Sequence, residues 1–396
     1  MTIRTRLLLG SIGILALLGC SSSDSYGPSS SYLVNAIAVA DIDANGLPDI
    51  LGLVSTEVGG ASTQGYVSTR LQSSAGAFVL PTRFGVGRGP ANLVVQDVNG
   101  DGRPDLVVAN ADDQTVSVRL ADPAKAGFFL PAILLPTPGR TPLDVAVGDL
   151  NGDGRMDIVV AASGANSVLV FTQTATGTFN PPVAYAVGGD AQAVTVADLD
   201  GNGLADIAVA TTANAVSVLL QTSAGTFAPA VDYATGIQPV AIRAADVDGD
   251  GKLDLLTANF GAATNPDGQG LSVLIQGAPG TFAAPVHYAT AYRAVALAVG
   301  DLNGDGKPDI AVACEGLPGD PGAVSVFLQT PPAAATPGVF LAAVNYRGTW
   351  GPMGVAIADM DGDGHPDLVL ADGDIVVRLN SGTTPGTFGP PNFFYN

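Results

Sequence analysis

The 396-residue chain is poor in the groups that carry most enzyme chemistry. It has two histidines (His287 and His365), two cysteines (Cys20 and Cys314), two glutamates (Glu57 and Glu315) and one tryptophan, Trp350. So few imidazoles and thiolates exclude a zinc-type centre. No Ser-His-Asp order, nucleophile elbow or phosphate-cradling loop is present either. Helical periodicity is missing after the first twenty residues, which points away from bundles and α/β folds. Charged residues make up only 13%, but hydrophobic residues reach 47%, so disorder is excluded. The formal charge of −20, taken by itself and before its location is considered, argues against a nucleic-acid partner.

What is abundant is aspartate, and it is clustered. "DLNGDGKPDI" from Asp301 recurs as "DIDANGLPDI" from Asp41, "DVNGDGRPDL" from Asp97, "DLNGDGRMDI" from Asp149, "DLDGNGLADI" from Asp198, "DVDGDGKLDL" from Asp246 and "DMDGDGHPDL" from Asp359. The spacings between first residues are 56, 52, 49, 48, 55 and 58. Seven regular copies define a repeat architecture before any single motif is interpreted. The loops hold 23 of the 36 acidic residues, so the acidity reflects local sites and says little about partners.

Residues 236–288 show one repeat. "PVAIRAAD" enters the loop, "DLLTAN" leaves it, and "LSVLIQ" and "GTFAAPVHY" follow. These four short β-prone segments between turn residues predict a four-stranded antiparallel meander. "GTF" or a variant is expected to mark each fourth strand, at Phe78, Phe128, Phe179, Phe227, Phe282, Phe340 and Phe388. Segments such as "DIVVA" are apolar on both faces, so each sheet must be covered on both sides. Sheets stacked around a closed ring meet that demand and protect their edges. The 51 glycines and 28 prolines suit the many turns.

Loop, GTF segment and a following Tyr-x-x-Gly turn, repeated in order, resemble the integrin-α-like FG-GAP (VCBS) repeat family. The resemblance covers residues 35–394 and implies an all-β, seven-bladed β-propeller of four-stranded antiparallel blades, with calcium loops between first and second strands. The chain is expected to start on an inner strand and end on an outer one. Each blade is then contiguous, with no terminal strand borrowed to latch the ring.

Positions 1, 3, 5 and 9 of each loop are Asp or Asn: Asp41, Asp43, Asn45 and Asp49; Asp97, Asn99, Asp101 and Asp105; Asp149, Asn151, Asp153 and Asp157; Asp198, Asp200, Asn202 and Asp206; Asp246, Asp248, Asp250 and Asp254; Asp301, Asn303, Asp305 and Asp309; Asp359, Asp361, Asp363 and Asp367. Alternation directs three side chains inward, and glycine at position 6 permits a sharp turn. The position-7 carbonyl (Leu47, Arg103, Arg155, Leu204, Lys252, Lys307 and His365) then faces the same centre. This hard-oxygen set at flexible distances suits Ca²⁺, up to seven ions, and not Mg²⁺. Position 12 lacks the Glu of an EF-hand, so the ninth-position Asp is the expected closing carboxylate. Ordinary turns would not need the cluster, because two carboxylates ~4 Å apart repel by about 4 kcal/mol at an effective dielectric of 20. The basic side chains at position 7 are expected to point outward.

The first residues form a separate unit. Arg4 and Arg6, an apolar run from Leu7 to Leu18 and "LLGC" read as a signal peptide over 1–19. Its ending resembles a bacterial lipobox, which implies lipidation of Cys20; a plain signal peptide or membrane anchor is the alternative. Residues 20–33, rich in serine, read as a tether, and 34–396 as the propeller. Ser21 stands where an inner-membrane retention signal would place Asp, which favours the outer membrane or cell surface. Cys314, in an apolar strand, reads as a buried small residue.

With 23 of the 36 acidic residues in the loops and no catalytic constellation elsewhere, catalysis is not expected. Turns between blades share a pole with the second-to-third-strand loops, opposite the Asp loops. They carry Arg88, Arg140, Tyr292, Arg293, Arg347 and Trp350, a candidate ligand face for an anion or sugar. Long loops at 55–66, 261–270 and 315–323 fall on the same pole, and 329–340 towards the other. The expected function is a monomeric surface module for protein interaction or adhesion. A carbohydrate-binding propeller is the alternative, and a polysaccharide lyase comes third. The single Trp argues against one sugar pocket per blade.

Overall fold

A computed structural model describes residues 30–58, 61–62, 64–261, 270–316, 320–329, 338–348 and 350–394. Cys20, the leader and most of the tether lie outside them, as do 262–269, 317–319 and 330–337 within three of the long loops. Among the described residues every named element is a strand. Seven antiparallel blades follow one another along the chain, at 30–88, 90–136, 141–186, 191–234, 239–288, 294–347 and 354–394. Blade 3 is typical: Thr141–Gly148 is innermost, then Asp157–Ser163, Ser167–Phe171 and, outermost, Val183–Ala186. Strand order equals chain order in every blade, so each is contiguous as expected. The first strand spans Ser30–Ala40 and pairs Ser30–Leu33 with Val58–Ser55, so sheet structure begins within the stretch that composition marks as tether.

The second strands explain the stacking. From Asp157 to Ser163, and from Asp206 to Thr211, every residue is buried. A strand apolar on both faces must be covered twice, and its neighbours in the ring do this. The core is therefore a set of slabs between blades: Val107, Val118 and Val98 of blade 2 pack with Val145, Ile158 and Phe171 of blade 3. Equivalent slabs lie between the following pairs. The ring closes on the same chemistry, with Ile50 of blade 1 among Met360, Val369, Ile375 and Val377 of blade 7. Phe78 meets Phe394 edge-on across that seam at 5.1 Å.

The GTF segment lies elsewhere than expected. It forms a minor hairpin or bridge before the outer strand, such as Gln173–Ala175 with Thr178–Phe179. In blade 2 the matching aromatic is Phe129, which bridges Ala121, and not Phe128. The hairpin fastens one blade to the previous one. Its glycine has φ near +70° (Gly127 +74°, Gly280 +65°), a conformation that disfavours side chains. There is also no room, since a Cβ on Gly280 would lie 2.6 Å from Leu220 Cδ1 and 3.3 Å from Asp200 Cβ, both of blade 4. Tyrosines of the outer strands complete the joint. Tyr185, Tyr233 and Tyr346 donate to the carbonyls of Gly225, Gly280 and Gly386 in the next blade at 3.4, 3.2 and 3.3 Å.

A buried amide repeats alongside. Gln72, Gln173, Gln221, Gln276, Gln329 and Asn380 each donate to a carbonyl in the preceding blade: Met360, Val98, Leu150, Leu199, Val247 and Leu302. Blade 2 has Ala121 there and keeps only the glycine bond, Gly127 N–H to Ile42 O (3.2 Å), which Gly76, Gly225 and Gly280 make beside the amide in their blades. An unmade buried hydrogen bond costs about 1–3 kcal/mol. Gln276 bonds both Leu199 O and Leu253 O, so Gln276→Ala should lower stability by about that amount, read as a reduced urea midpoint at unchanged m-value. An unchanged midpoint would show that the amide holds nothing.

Candidate metal loops and ligand face

Each Asp loop joins an innermost strand to its second strand, and its first acidic residue is wrapped by backbone. Asp97 Oδ1 accepts N–H from Gly100 (2.7 Å) and Asp101 (3.2 Å), and Oδ2 accepts that of Gly102 (2.7 Å). Gly102 has φ +82°, as the turn requires. Position 3 accepts from position 5, as in Asp101 N–H to Asn99 Oδ1 at 2.8 Å. Position 5 accepts the N–H of position 7 in all seven loops: Leu47, Arg103, Arg155, Leu204, Lys252, Lys307 and His365, at 2.7–3.0 Å. These donors relieve part of the carboxylate repulsion, so repulsion alone argues less strongly for an ion than bare spacing implies.

The ninth-position Asp is different. It is fully buried, and both of its oxygens are taken. Asp157 Oδ2 accepts Leu150 N–H (3.0 Å), and Oδ1 accepts Gln173 N–H (2.8 Å) beyond the third strand. The same pair of bonds recurs in every loop, as at Asp309 with Leu302 and Gln329. Burial pushes the carboxyls of Asp49, Asp157, Asp206, Asp254, Asp309 and Asp367 up to about 6. The two N–H bonds oppose that rise and the other loop carboxylates add to it.

The donor set fits a hard cation. In four loops carboxylate oxygens from three residues lie within 4.8 Å of one another: Asp41, Asp43 and Asp49; Asp198, Asp200 and Asp206; Asp246, Asp248 and Asp250; Asp359, Asp361 and Asp367. The other three loops have Asn99, Asn151 or Asn303 at position 3, where an amide oxygen replaces a carboxylate. The basic residues at position 7 do not all point away. Arg103 lies 3.7 Å from Asp101, and Arg155 and Lys252 pair with Asp153 and Asp250. An internal cation sits on a loop carboxylate in these three.

The opposite pole carries the candidate ligand face, and carboxylates pair with two of its four arginines. Arg88 binds Asp113 at 2.6 Å, and Arg140 bonds Ser167. Arg293 lies 3.8 Å from Glu315 Oε1 and 5.2 Å above the Phe260 ring. Arg347 is exposed, and Tyr292 and Trp350 are 54% and 50% exposed. Burial raises the Glu315 carboxyl, with Arg293 opposing.

Sequence reading missed two features. The innermost strands of blades 2 to 4, with Arg243, line an axial cavity of about 200 Å³. Within it the buried Asp144 carboxylate accepts bonds from Asn92 Nδ2 (2.6 Å) and Val194 N–H (2.9 Å). Only the odd carboxylate in an apolar strand hinted at this. The second feature is Ser272 Oγ 3.0 Å from His287 Nδ1. It is a fastening and not a nucleophile: the equivalent Ser217 and Ser325 bond Asp232 and Asn345, and the three hydroxyls accept N–H from Gly188, Gly236 and Ala291 of the blade junctions.

Fold and loops together define a seven-bladed β-propeller whose blades each carry an aspartate loop next to the blade seam. An FG-GAP-like repeat model matches at 97–160, 149–209, 198–257 and 260–312, just over half of the chain, and the chain belongs to that family. No curated protein sequence matches it. Among solved structures it is similar to an Agrocybe aegerita lectin that recognises non-reducing terminal N-acetylglucosamine (TM-score 0.52, 20% identity, 83% of this chain and 87% of that one). It is also similar to the exotype rhamnogalacturonan lyase YesX (0.54, 14%, 89% and 72%) and to the V. cholerae biofilm matrix protein Bap1 (0.52, 13%, 96% and 83%). At these identities the likeness shows the fold alone.

The raised carboxyls give a pH expectation for protein freed of divalent ions. Their folded value near 6 exceeds the unfolded 3.8, so the native state binds more protons between them. That stabilisation is complete below about pH 4 and lost as pH rises through 6. Urea midpoints in metal-free buffer should therefore fall from pH 4.5 to 7, and a rise would contradict the burial assigned to these groups.

Proposed function

We propose that the chain is a calcium-stabilised, lipid-anchored propeller of the bacterial cell envelope that works as a recognition or adhesion module. The observation that carries the calcium reading is the shared donor set: seven loops of Asp, Asn and carbonyl oxygens, four of them gathering three carboxylates. The leader and Cys20 support outward transport and anchoring at the outer membrane or cell surface, where millimolar calcium is met. Affinity belongs to the weak extracellular range, about 10⁻⁴–10⁻³ M. The ions are structural in this reading, since each loop packs against the next blade's hairpin, as Asp200 does on Gly280.

Recognition falls to the pole away from the loops. Among the described residues, turns of unequal length meet the exposed Tyr292 and Trp350 there, and a rigid ring commonly presents its ligand contacts in that way. Carbohydrate binding is the second reading, favoured by Trp350 and Tyr292 on adjoining junctions and in keeping with the lectin and lyase among similar folds. Turnover is not proposed, because the buried acids and the Ser272–His287 pair serve the frame.

Two measurements test the calcium half. Millimolar calcium should raise the thermal midpoint, by mass action on the native state, and chelator should lower it; an unchanged midpoint removes the claim. Lys252→Leu should tighten calcium binding, since the ammonium group competes with the ion for the Asp250 carboxylate in the ion-free loop and an exposed pair of this kind contributes little. Weaker binding in calorimetric titration would mean that the lysine assists the site. For the recognition half, the chain coated on beads should adhere to envelope polysaccharide or matrix protein, and Trp350→Ala should reduce that adhesion.

A further inference from the structure

The recognition pole is not uniform around the ring. Large exposed aromatics at its junctions occur in two neighbouring turns: Tyr292 between blades 5 and 6, and Trp350 between blades 6 and 7. Both turns rest on one segment, Glu315–Gly316. Glu315 N–H donates to Arg293 O (3.1 Å), and Gly316 N–H to Tyr292 O (3.4 Å). From the other side Gly351 packs so tightly that a Cβ would lie 2.6 Å from Glu315 O. The two aromatics therefore flank a single fixed strip of backbone.

Trp350 is mounted rather than loose. Its N–H and that of Gly351 both bond Asp372 Oδ1, at 2.8 and 2.9 Å. The indole lies against Gly373, where a Cβ would come within 2.9 Å of Cγ and Cδ1. Gly373 has φ +73°, so a side chain is disfavoured there twice over. One flank of the ring is thus occupied by backbone while half of the residue remains exposed. A half-exposed indole of this rigidity costs little entropy to bind against. On the same strip the Glu315 carboxylate and Arg293 guanidinium sit 3.8 Å apart, with side chains 17% and 26% exposed, and the guanidinium lies 5.2 Å from the centre of the Phe260 ring.

We infer that Trp350, Tyr292, Glu315 and Arg293 form one saccharide site, which rests on the recognition reading above and names its ligand class. An aromatic face takes the C–H face of a pyranose ring. The carboxylate accepts from a hydroxyl and the guanidinium donates to a neighbouring one, so the pair reads vicinal hydroxyls. The ligand is a neutral sugar, because the Glu315 carboxylate 3.8 Å away balances the site's one cation. There is one site per chain, since no other junction supplies this set among the described residues.

The unique tryptophan makes the test direct, as all indole emission comes from the site. Full chain in a sugar-free zwitterionic detergent with calcium would be titrated with N-acetylglucosamine, galactose, mannose, rhamnose and their oligomers, and with galacturonate. A saturable blue shift with a neutral sugar, matched by calorimetry at one site, is expected. Glu315→Gln, which keeps size, should weaken it by about tenfold while leaving the thermal midpoint in place, and Trp350→Ala should abolish the calorimetric signal. Silence from every neutral sugar, or a response to galacturonate alone, would overturn the assignment. If Trp350→Ala abolishes bead adhesion while sugars leave the emission unmoved, the saccharide assignment fails and the recognition pole stands. If it changes neither, both fail.

Discussion

One buried carboxylate per blade holds the frame together. The ninth-position Asp of each loop accepts one N–H from the end of the innermost strand and one from the chain leaving the third strand, so it ties three segments of its own blade. The residue whose N–H it takes, such as Leu150, turns its carbonyl towards the next blade, where Gln221 and Gly225 donate to it. A clamp within one blade thereby orients the link to its neighbour. Seven such links in series need no borrowed strand, and blade 7 meets blade 1 by the same bond, from Gln72 and Gly76 to Met360 O.

This arrangement places charge beside the seam. A carboxylate buried with two N–H donors is satisfied in hydrogen bonds but still short of solvation, which is why its proton affinity rises. The other loop acids are held by Asx-type bonds and, in three loops, by the basic residue at position 7. The ion-free loop is therefore a folded object with residual electrostatic tension, and not a collection of repelling groups waiting for a cation. A divalent ion would relieve that tension where the next blade's hairpin rests, so its effect would be felt as blade cohesion.

The number of blades, their contiguity and the strand order were all legible, because a loop repeated seven times sets the period and both-face apolar strands demand a stack. The fastenings were not. "GTF" was visible as a repeat, but its role as a clasp on the preceding blade depends on the room around Gly280 and Gly127, which only packing reveals. The glutamine that opens the hairpin is one residue in a variable stretch and becomes meaningful when its partner, some 75 residues earlier (Gln173 to Val98), is known. Likewise, four arginines on one pole read as a basic patch until Asp113 and Glu315, far off in sequence, are seen to pair with two of them.

The two poles are consequently under different constraints. At the loop pole the sequence is constrained residue by residue, since each Asp, Gly and Gln answers to a neighbour on both sides; variation there would break a seam. At the other pole the junctions answer only to their own blade pair, and lengths and side chains diverge without cost to the ring. The exposed tryptophan stands where that freedom is greatest, yet its backbone N–H is held by Asp372 and its indole lies against Gly373. Stability alone does not call for a large apolar ring at a solvent-facing turn held this way. The proposed recognition role accounts for it, because rigidity there lowers the entropy lost on contact.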